Sequence, residues 1–309
     1  MEQMKRLSVV IPAYNESAGI GDTLRELITY VDMQEMEVIV VDDGSTDNTA
    51  DIVKEFPKVR LICHGVNKGY GTAIKTGTRA ATGEIVAWYD SDGQHRPEDL
   101  MRVVDEITAK DLDYCIGVRG KDSYVDRTRV AGKAILRLFL RLVTFQKVTD
   151  FNSGLRAFKR EVLLRYLPLL PKRFGASTVT TLLMQEEDYN GSEVPITVRK
   201  RIGKSSVKQI RDGFRTIMLI VNVILLFHPM RVLGTGGAVM ILAGLLYGGI
   251  CALKWHGGLP VFAAVLIIFG FQLFCFGLLS HQISRVRKEK FEDPGIYARM
   301  NMQEMTRNQ

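Results

Sequence analysis

Apolar runs and amphipathic stretches alternate along the first 120 residues of the chain. The apolar runs predict five strands, at residues 7–13, 37–41, 59–63, 84–88 and 113–118. Helical patterns fall between them, near residues 18–31, 47–56, 72–81 and 97–109. Alternation of this kind favours right-handed crossover units and a mainly parallel sheet. We therefore expect an α/β fold of the Rossmann-like type.

Two later segments have a different pattern, because residues 232–253 and 259–280 contain no formal charge. Each is about as long as the roughly 20 residues needed to cross a bilayer. A pair of buried soluble helices is the alternative, but such helices normally carry a polar stripe. We expect a transmembrane hairpin. Gly244 and Gly248 would let its two helices, or neighbouring protomers in a homo-oligomer, approach closely.

Basic residues flank this hairpin on both sides, and the short loop between the spans offers Lys254. The flanking residues are Lys204, Lys208, Arg211, Arg215 and Arg231 before it, and Arg285, Arg287, Lys288 and Lys290 after it. By the positive-inside rule, the main domain and both termini are expected in the cytoplasm. The first apolar run is broken at Pro12 and Asn15, which favours a strand rather than a signal peptide. The interpretation is an integral protein of a prokaryotic plasma or inner membrane.

Charge and cysteine content narrow the function classes. The net charge of +7 is explained by the juxtamembrane basic cluster, which suits an anionic lipid surface. No nucleic-acid-binding motif accompanies the basic residues, so a nucleic-acid partner is not expected. The four cysteines are Cys63, Cys115, Cys251 and Cys275, and their spacing matches neither a metal site nor a disulfide framework.

Two further apolar stretches bear on the domain boundaries. The stretch at 134–145 contains Arg137 and Arg141 one turn apart, which fits either a half-buried core helix or a helix on the membrane surface. Residues 216–227 are too few to span and predict an interfacial helix. The expected organisation is a domain at 1–210, a juxtamembrane segment at 211–231, a hairpin at 232–281 and a tail at 282–309.

Polar loops follow every predicted strand, and ligands of parallel sheets bind at that edge. Asp42 and Asp43 end the second strand, where a carboxylate can accept hydrogen bonds from a nucleobase or a ribose. Asp90, Asp92 and Gln94 alternate after the fourth strand. A solvated turn would explain Asp90 and Asp92 in isolation. Among four other polar loops, these oxygen ligands instead suit Mg²⁺ held together with substrate phosphates.

The motifs "VVIPAYNE", "VVDDGSTD" and "DSDGQHRPEDL", in this order and with an Asn-Lys-Gly run between the last two, resemble the inverting family 2 glycosyltransferases of the GT-A fold. "DFNSGLRAFKR", "PITVRKRIGKSSV" and the hairpin make the chain similar to the polyprenyl-phosphate glycosyltransferases within that family. The resemblance implies a nucleotide-sugar donor, a polyprenyl-phosphate acceptor and Mg²⁺ or Mn²⁺.

The resemblance also implies roles for individual residues. The nucleoside would be held by Pro12, Tyr14, Glu16, Asp42 and Asp43. The metal ligands would be Asp90, Asp92 and Gln94. Lys68 and Asp90 complete the nucleotide-sugar set, and Arg201 and Lys204 would close over the diphosphate. The acceptor phosphate would be bound by Arg119 and Arg129.

Several alternatives stay open at this point. Asp150 is either a catalytic base or orienting group, or a structural partner of Arg156. The donor is expected to be UDP-linked, with a GDP-mannose enzyme as the alternative. A processive polysaccharide synthase would need a Gln-x-x-Arg-Trp motif, and the tryptophans here are Trp88 and Trp255. A non-enzymatic membrane adaptor would have no use for the carboxylates and basic loops together.

Overall fold

A computed structural model describes residues 6–120, 150, 153–173, 175–202, 229–255 and 258–292, together with helical positions 218, 221 and 225. For residues 287–292 it describes the backbone alone. The chain divides into two compact units, an α/β unit and a C-terminal helical unit. The predictions for Arg129, Arg137, Arg141 and Lys204, and most of the predicted helix at 216–227, lie outside the described residues.

The first unit begins with four β–α pairs and a fifth strand. The elements are β1 (Leu7–Ala13), α1 (Ile20–Tyr30), β2 (Met36–Asp42), α2 (Thr49–Lys54), β3 (Val59–Cys63), α3 (Tyr70–Ala80), β4 (Ile85–Trp88), α4 (Pro97–Lys110) and β5 (Tyr114–Arg119). All nine correspond to predicted elements. Their bounds differ from the predictions by two residues or fewer at each end.

Burial explains why the strands and helices of this part of the chain could be predicted from the sequence. Every residue of β1 is buried, and β4 is buried throughout. Strands covered on both faces form continuous apolar runs, as is typical of parallel sheets. In α1 the buried side chains include Ile20, Leu24 and Leu27, at the spacing of one helical face.

Within the described residues, the sheet has seven strands in the order β3-β2-β1-β4-β6-β5-β7. Its two last strands are β6 (Arg156–Lys159) and β7 (Gly191–Ile196). β1, β2, β3 and β4 pair in parallel, whereas β6 lies antiparallel between β4 and β5. The expected mainly parallel α/β sheet is therefore confirmed, with one antiparallel strand inserted beside β4.

The elements of the first unit that follow residue 150 were not predicted as strands or helices. They comprise β6, α5 (Arg160–Tyr166), a short 3₁₀ turn (Leu167–Leu169), α6 (Ala176–Glu186) and β7. Nine consecutive residues of α6, Ala176 to Met184, are buried, so no polar face marks it as an amphipathic helix. β6 is four residues long, and β7 carries Pro195, which an edge strand tolerates. Val162, Leu163 and Tyr166 form one buried face of α5, but that helix is only seven residues long.

The second unit contains a π-helical turn (Met230–Gly234) followed by α7 (Thr235–Trp255) and α8 (Val261–Glu292). Segments 230–254 and 261–286 of these helices are long and apolar enough to cross a membrane. The second predicted span began at 259, whereas α8 begins after Pro260 and continues to Glu292, so the start of the predicted tail is helical.

Glycines let α7 and α8 pack closely. A Cβ at Gly237 would lie 2.5 Å from the carbonyl oxygen of Gly270, and a Cβ at Gly270 would lie 2.7 Å from that of Gly237. Gly244 approaches the backbone of Ala263 in the same way, at 2.9 Å. The predicted close approach at Gly244 is thus made within the hairpin. Small residues serve this purpose in membrane helix pairs.

Candidate active site

The candidate active site lies at the carboxyl edge of the parallel strands in the first unit. β1 and β2 end together, with Ala13 opposite Asp42, and Asp42 is opposite Cys63 of β3. β4 pairs with the other side of β1, with Val10 opposite Trp88. The loops that follow these four strands therefore lie along one edge of the sheet.

The loops after β1 and β2 are hydrogen-bonded to each other. The Asn15 amide donates to Ser45 Oγ at 2.9 Å, and the Thr46 amide donates to Asn15 Oδ1 at 2.8 Å. The Glu16 amide donates to Thr49 Oγ1 at 2.9 Å. These contacts fix the backbone on which Glu16 reaches into the site, and Tyr14 remains exposed beside it.

Asp42 and Asp43 differ in their surroundings although both are buried. Asp43 accepts hydrogen bonds from the Lys68 and Gly69 amides at 3.0 and 2.7 Å, and its Oδ1 lies 2.7 Å from His64 Nδ1. Asp42 accepts from the Ser45 amide at 3.3 Å. Asp43 therefore holds the loop between β3 and α3, and Asp42 has more acceptor capacity left for a ligand.

Asp90 and Asp92 follow β4, and the structure brings them into one acidic site. Burial raises the pKa of Asp92, and the negative charge of Asp90 raises it further. Burial also opposes ionisation of Asp90, but hydrogen bonding and charge from His95, together with the Tyr70 hydroxyl, outweigh it and lower the pKa of Asp90. Asp90 is thus the more readily ionised member of the pair, whereas burial and the charge of Asp90 both disfavour the anionic form of Asp92.

This arrangement fits a hard divalent cation that takes further ligands from a substrate. Among the described residues, no group of three His, Cys, Asp or Glu side chains could hold a metal ion. Two carboxylates and substrate phosphate oxygens are the usual set for Mg²⁺. A cation between Asp90 and Asp92 would also remove the repulsion that raises the pKa of Asp92.

Gln94, on the same loop, is hydrogen-bonded to Arg199. The side-chain nitrogen Nε2 of Gln94 donates to the backbone carbonyl of Arg199 at 3.2 Å. The backbone amide of Arg199 donates to the backbone carbonyl of Gln94 at 2.9 Å. The Ile202 amide donates to the Asp92 carbonyl at 3.1 Å. An amide nitrogen is not a metal ligand, so the side-chain oxygen is the group through which Gln94 could serve the predicted metal site.

Arg201 lies between two acidic side chains of the site. It hydrogen-bonds to Glu16, and its Nε lies 3.7 Å from Asp92 Oδ2. Burial raises the pKa of Glu16 to about 7, against the opposing attraction of Arg201. The predicted diphosphate ligand Arg201 is therefore placed beside the predicted metal ligand Asp92.

A second basic group belongs to the end of β5. Arg119 Nε lies 3.5 Å from Asp150 Oδ2. Arg156, considered above as a structural partner of Asp150, is fully buried, and its hydrogen bonds join two backbone carbonyls and two hydroxyls. Those partners are the carbonyls of Ser153 and Ser177 and the hydroxyls of Thr180 and Thr181. Burial lowers the pKa of Arg156 to about 10, still far above neutrality.

Two of the remaining predicted residues have simple placements. Pro12 is buried within β1, and the Lys68 residue is exposed on the loop that Asp43 holds. Arg129 and Lys204 lie outside the described residues, so their predicted roles stay predictions.

The sequence analysis assigned no role to two side chains that the structure places beside Asp90. Tyr70 donates to Asp90 Oδ1 at 3.1 Å, and His95 Nε2 lies 3.5 Å from Asp90 Oδ2. Tyr70 directly follows the Asn-Lys-Gly run, and His95 lies inside "DSDGQHRPEDL", so their place in these motifs is the signal that could have identified them.

Comparison with known proteins now identifies the family. Residues 8–167 match the model of glycosyl transferase family 2, and residues 228–286 match that of the GtrB C-terminal hairpin. The chain belongs to glycosyl transferase family 2. It is a glycosyltransferase whose two apolar helices fit a membrane enzyme, and the resemblance stated from its motifs is confirmed.

Two relatives of the chain are named for polyprenyl-phosphate acceptors. The UDP-N-acetylglucosamine–dolichyl-phosphate N-acetylglucosaminyltransferase of Methanococcus voltae is 31% identical over 68% of this chain and 93% of its own. The undecaprenyl-phosphate 4-deoxy-4-formamido-L-arabinose transferase of Proteus mirabilis is 26% identical over 92% of this chain and 90% of its own.

Solved structures support the GT-A fold of the family 2 domain. Glucosyl-3-phosphoglycerate synthase from Mycobacterium tuberculosis, in complex with Mn²⁺, UDP-glucose and phosphoglyceric acid, superimposes with a TM-score of 0.60. It is 21% identical, and the match covers 71% of this chain and 80% of that one. The same enzyme was crystallised with Mg²⁺ and UDP. At this identity the likeness shows the fold.

Proposed function

We propose that this glycosyltransferase moves a sugar from a nucleoside-diphosphate sugar, with UDP as the expected nucleoside diphosphate, to the phosphate of a polyprenyl phosphate. The observation that carries the proposal is the meeting of opposite charges at one sheet edge. Asp90 and Asp92 offer oxygen ligands for a cation, and Arg201 lies 3.7 Å from Asp92. A metal-bound diphosphate needs both kinds of group.

The donor would bind across the loops after β1, β2 and β4. Asp42 would accept a hydrogen bond from the nucleoside, and Asp90 and Asp92, with the Gln94 side-chain oxygen, would hold Mg²⁺ or Mn²⁺. When bound, the cation neutralises charge on the departing nucleoside diphosphate. Arg201 would add a fixed positive charge to the same group, and such preorganised charge is a large part of enzymatic rate enhancement.

The acceptor would approach from the β5 side of the site. Arg119 would bind its phosphate, and Asp150, 3.5 Å from Arg119, would orient that guanidinium. A lipid phosphate is already ionised near neutral pH, so its oxygen can attack the anomeric carbon without a strong base. Direct attack inverts that carbon, and positioning of the two substrates would supply much of the rate.

The acceptor class is supported by the two named relatives and by the C-terminal hairpin. Both relatives act on polyprenyl phosphates, and the match to one extends over the hairpin-containing 92% of this chain. The two apolar helices would anchor the enzyme in the membrane that contains the lipid. By the positive-inside rule, the basic residues that flank the hairpin support an active site and both termini in the cytoplasm.

The test supplies purified full-length protein with radiolabelled UDP-sugars and GDP-sugars, a short polyprenyl phosphate and Mg²⁺ or Mn²⁺. We expect a labelled glycolipid from a UDP-sugar, and chelation by EDTA should prevent it. Asp92→Asn should lower turnover by about 10²–10³-fold, as expected for loss of one electrostatic stabiliser. Asp105→Asn is the matched control, because Asp105 is 61% exposed on α4.

The outcomes separate the alternatives. A product made from GDP-mannose alone would replace the uridine proposal with the guanosine one. If no donor gives a metal-dependent glycolipid, the proposed function is wrong. Wild-type turnover by the Asp92→Asn enzyme would remove Asp92 from the metal site.

A further inference from the structure

The carboxylate of Asp90 is contacted by side chains from two other parts of the site loops. Tyr70, the first residue of α3, donates its hydroxyl to Oδ1 at 3.1 Å. His95, which precedes α4, places Nε2 3.5 Å from Oδ2. A carboxylate accepts hydrogen bonds and donates none, so the Tyr70 hydroxyl is the donor to Oδ1, and His95 is placed to donate from Nε2 to Oδ2.

His95 is itself held rigidly. Its side chain is 3% exposed, and its ring lies 5.7 Å from the Tyr89 ring. The Tyr89 hydroxyl donates to the His95 carbonyl at 2.7 Å. The other ring nitrogen, Nδ1, has no hydrogen-bond partner among the residues that the structure describes. Within the described part of the chain, the polar group that faces this buried ring is therefore the Asp90 carboxylate.

The Asp90 carboxylate also packs against the backbone at Gly154. A Cβ atom at Gly154 would overlap Oδ2 and Cγ of Asp90, so this position must be glycine for the carboxylate to keep its place. The preceding carbonyl, that of Ser153, accepts from Arg156 Nε and Nη2 at 3.1 and 2.8 Å. Arg156 in turn reaches α6 through the Ser177 carbonyl at 2.7 Å. The backbone at residues 153–154 is thus connected through buried Arg156 to α6.

We propose that Tyr70 and His95 are positioning residues for metal binding by this enzyme. They hold the Asp90 carboxylate, against Gly154, in the orientation in which Asp90 and Asp92 can bind one divalent cation together. The inference rests on the proposed metal-dependent transfer. Groups that hold a metal ligand in place typically contribute 10–100-fold in metal affinity or activity. Neither residue touches the substrate in this role.

The test measures Mn²⁺ binding to the full-length protein in detergent, with UDP and in parallel with GDP. The electron paramagnetic resonance signal of free Mn²⁺ gives the dissociation constant without any turnover. Tyr70→Phe removes one hydroxyl and should weaken Mn²⁺ binding about 10-fold or more. Tyr166→Phe is the control, because its hydroxyl contacts Tyr189 at 3.2 Å in another part of the unit.

A pair of substitutions at His95 separates donation from packing. Gln presents an amide N–H near the position of Nε2, so His95→Gln should keep Mn²⁺ affinity within a few-fold of wild type. His95→Leu fills similar space without a donor and should weaken binding about 10-fold or more. The Mn²⁺ concentration for half-maximal activity should rise in Tyr70→Phe and His95→Leu, whereas the donor KM at saturating Mn²⁺ should change little.

Each result decides the matter. If wild type binds Mn²⁺ and both Tyr70→Phe and His95→Leu bind it equally well, the positioning role is refuted while the proposed function stands. Equal weakening by His95→Gln and His95→Leu would refute donation by His95. If the wild-type protein binds no Mn²⁺ with either nucleotide, the metal-dependent function fails, and this inference fails with it.

Discussion

The buried carboxylate of Asp43 allows the clearest quantitative prediction. Its side chain is 3% exposed and receives hydrogen bonds from the Lys68 and Gly69 amides and a contact from His64. Asparagine has the same shape but replaces one acceptor oxygen with an NH₂ donor. If the remaining oxygen keeps its place against Lys68 and His64, the new NH₂ group points at the Gly69 N–H.

The magnitude follows from these contacts. A hydrogen bond to a charged group contributes about 1.5–3 kcal/mol, and a buried donor left without a partner costs about 1–3 kcal/mol. Both figures include the loss of the same contact with the Gly69 amide, so they are not added in full. We expect Asp43→Asn to lower the free energy of unfolding by about 2–4 kcal/mol. At about 2–4 °C per kcal/mol for a domain of this size, Tm should fall by roughly 4–16 °C.

The assay is thermal unfolding of the full-length protein in detergent, followed by circular dichroism. Asp51→Asn is the matched control, because Asp51 is 74% exposed and pairs with Lys54 on the surface. Such a pair contributes about 0–1 kcal/mol. Asp42→Asn should also leave Tm nearly unchanged, since Asp42 accepts from the Ser45 amide at 3.3 Å, but it should raise the donor KM.

Two results would refute this reasoning. One is an Asp43→Asn protein that unfolds at the same temperature as Asp51→Asn. The other is an Asp42→Asn protein that loses stability instead, with its donor KM unchanged. Either would mean that the two adjacent aspartates do not divide loop stabilisation and ligand binding between them.

Three further predictions concern stability in the same assay. Arg156→Lys should lower the free energy of unfolding by about 2–4 kcal/mol, because one ammonium cannot satisfy all the buried acceptors that the guanidinium serves. Gly270→Leu should destabilise the hairpin, since its Cβ would meet the facing backbone, whereas Gly249→Leu, with nothing within 4 Å of its Cβ among the described residues, should not. Glu16 has a folded pKa of about 7 against 4.5, so the folded protein keeps a proton there that the unfolded chain has lost, and stability falls as pH rises through this range. Glu16→Gln should reduce that slope in Tm against pH, even though it also alters the contact with Arg201.

These three have their own contrary outcomes. Wild-type Tm in Arg156→Lys would show that a single cation satisfies the site. Equal effects at Gly270 and Gly249 would mean that helix contact is not the cause. An unchanged slope of Tm against pH in Glu16→Gln would assign the proton uptake to another group.

The sequence by itself determined the first five strands, the four helices between them and the apolar hairpin. These elements were readable because each satisfies a local rule. β1 and β4 are covered on both faces and form continuous apolar runs, and α1 repeats its apolar side chains once per turn. The Asp90 and Asp92 pair could also be predicted, because a parallel strand brings the residues after it to the ligand-binding edge.

Tertiary structure alone decided how the neighbouring groups divide their roles. Asp42 and Asp43 are adjacent and chemically identical, and what distinguishes them is the loop from His64 to Gly69, more than 20 residues away. Arg156 could not be recognised as an anchor before β6 placed it against α6, since its partners carry no periodic signal. The contacts of Tyr70 and His95 with Asp90 likewise depend on distances between loops. Local patterns encode which face of an element is buried, whereas the partner of a buried charge is set by packing between distant parts of the chain.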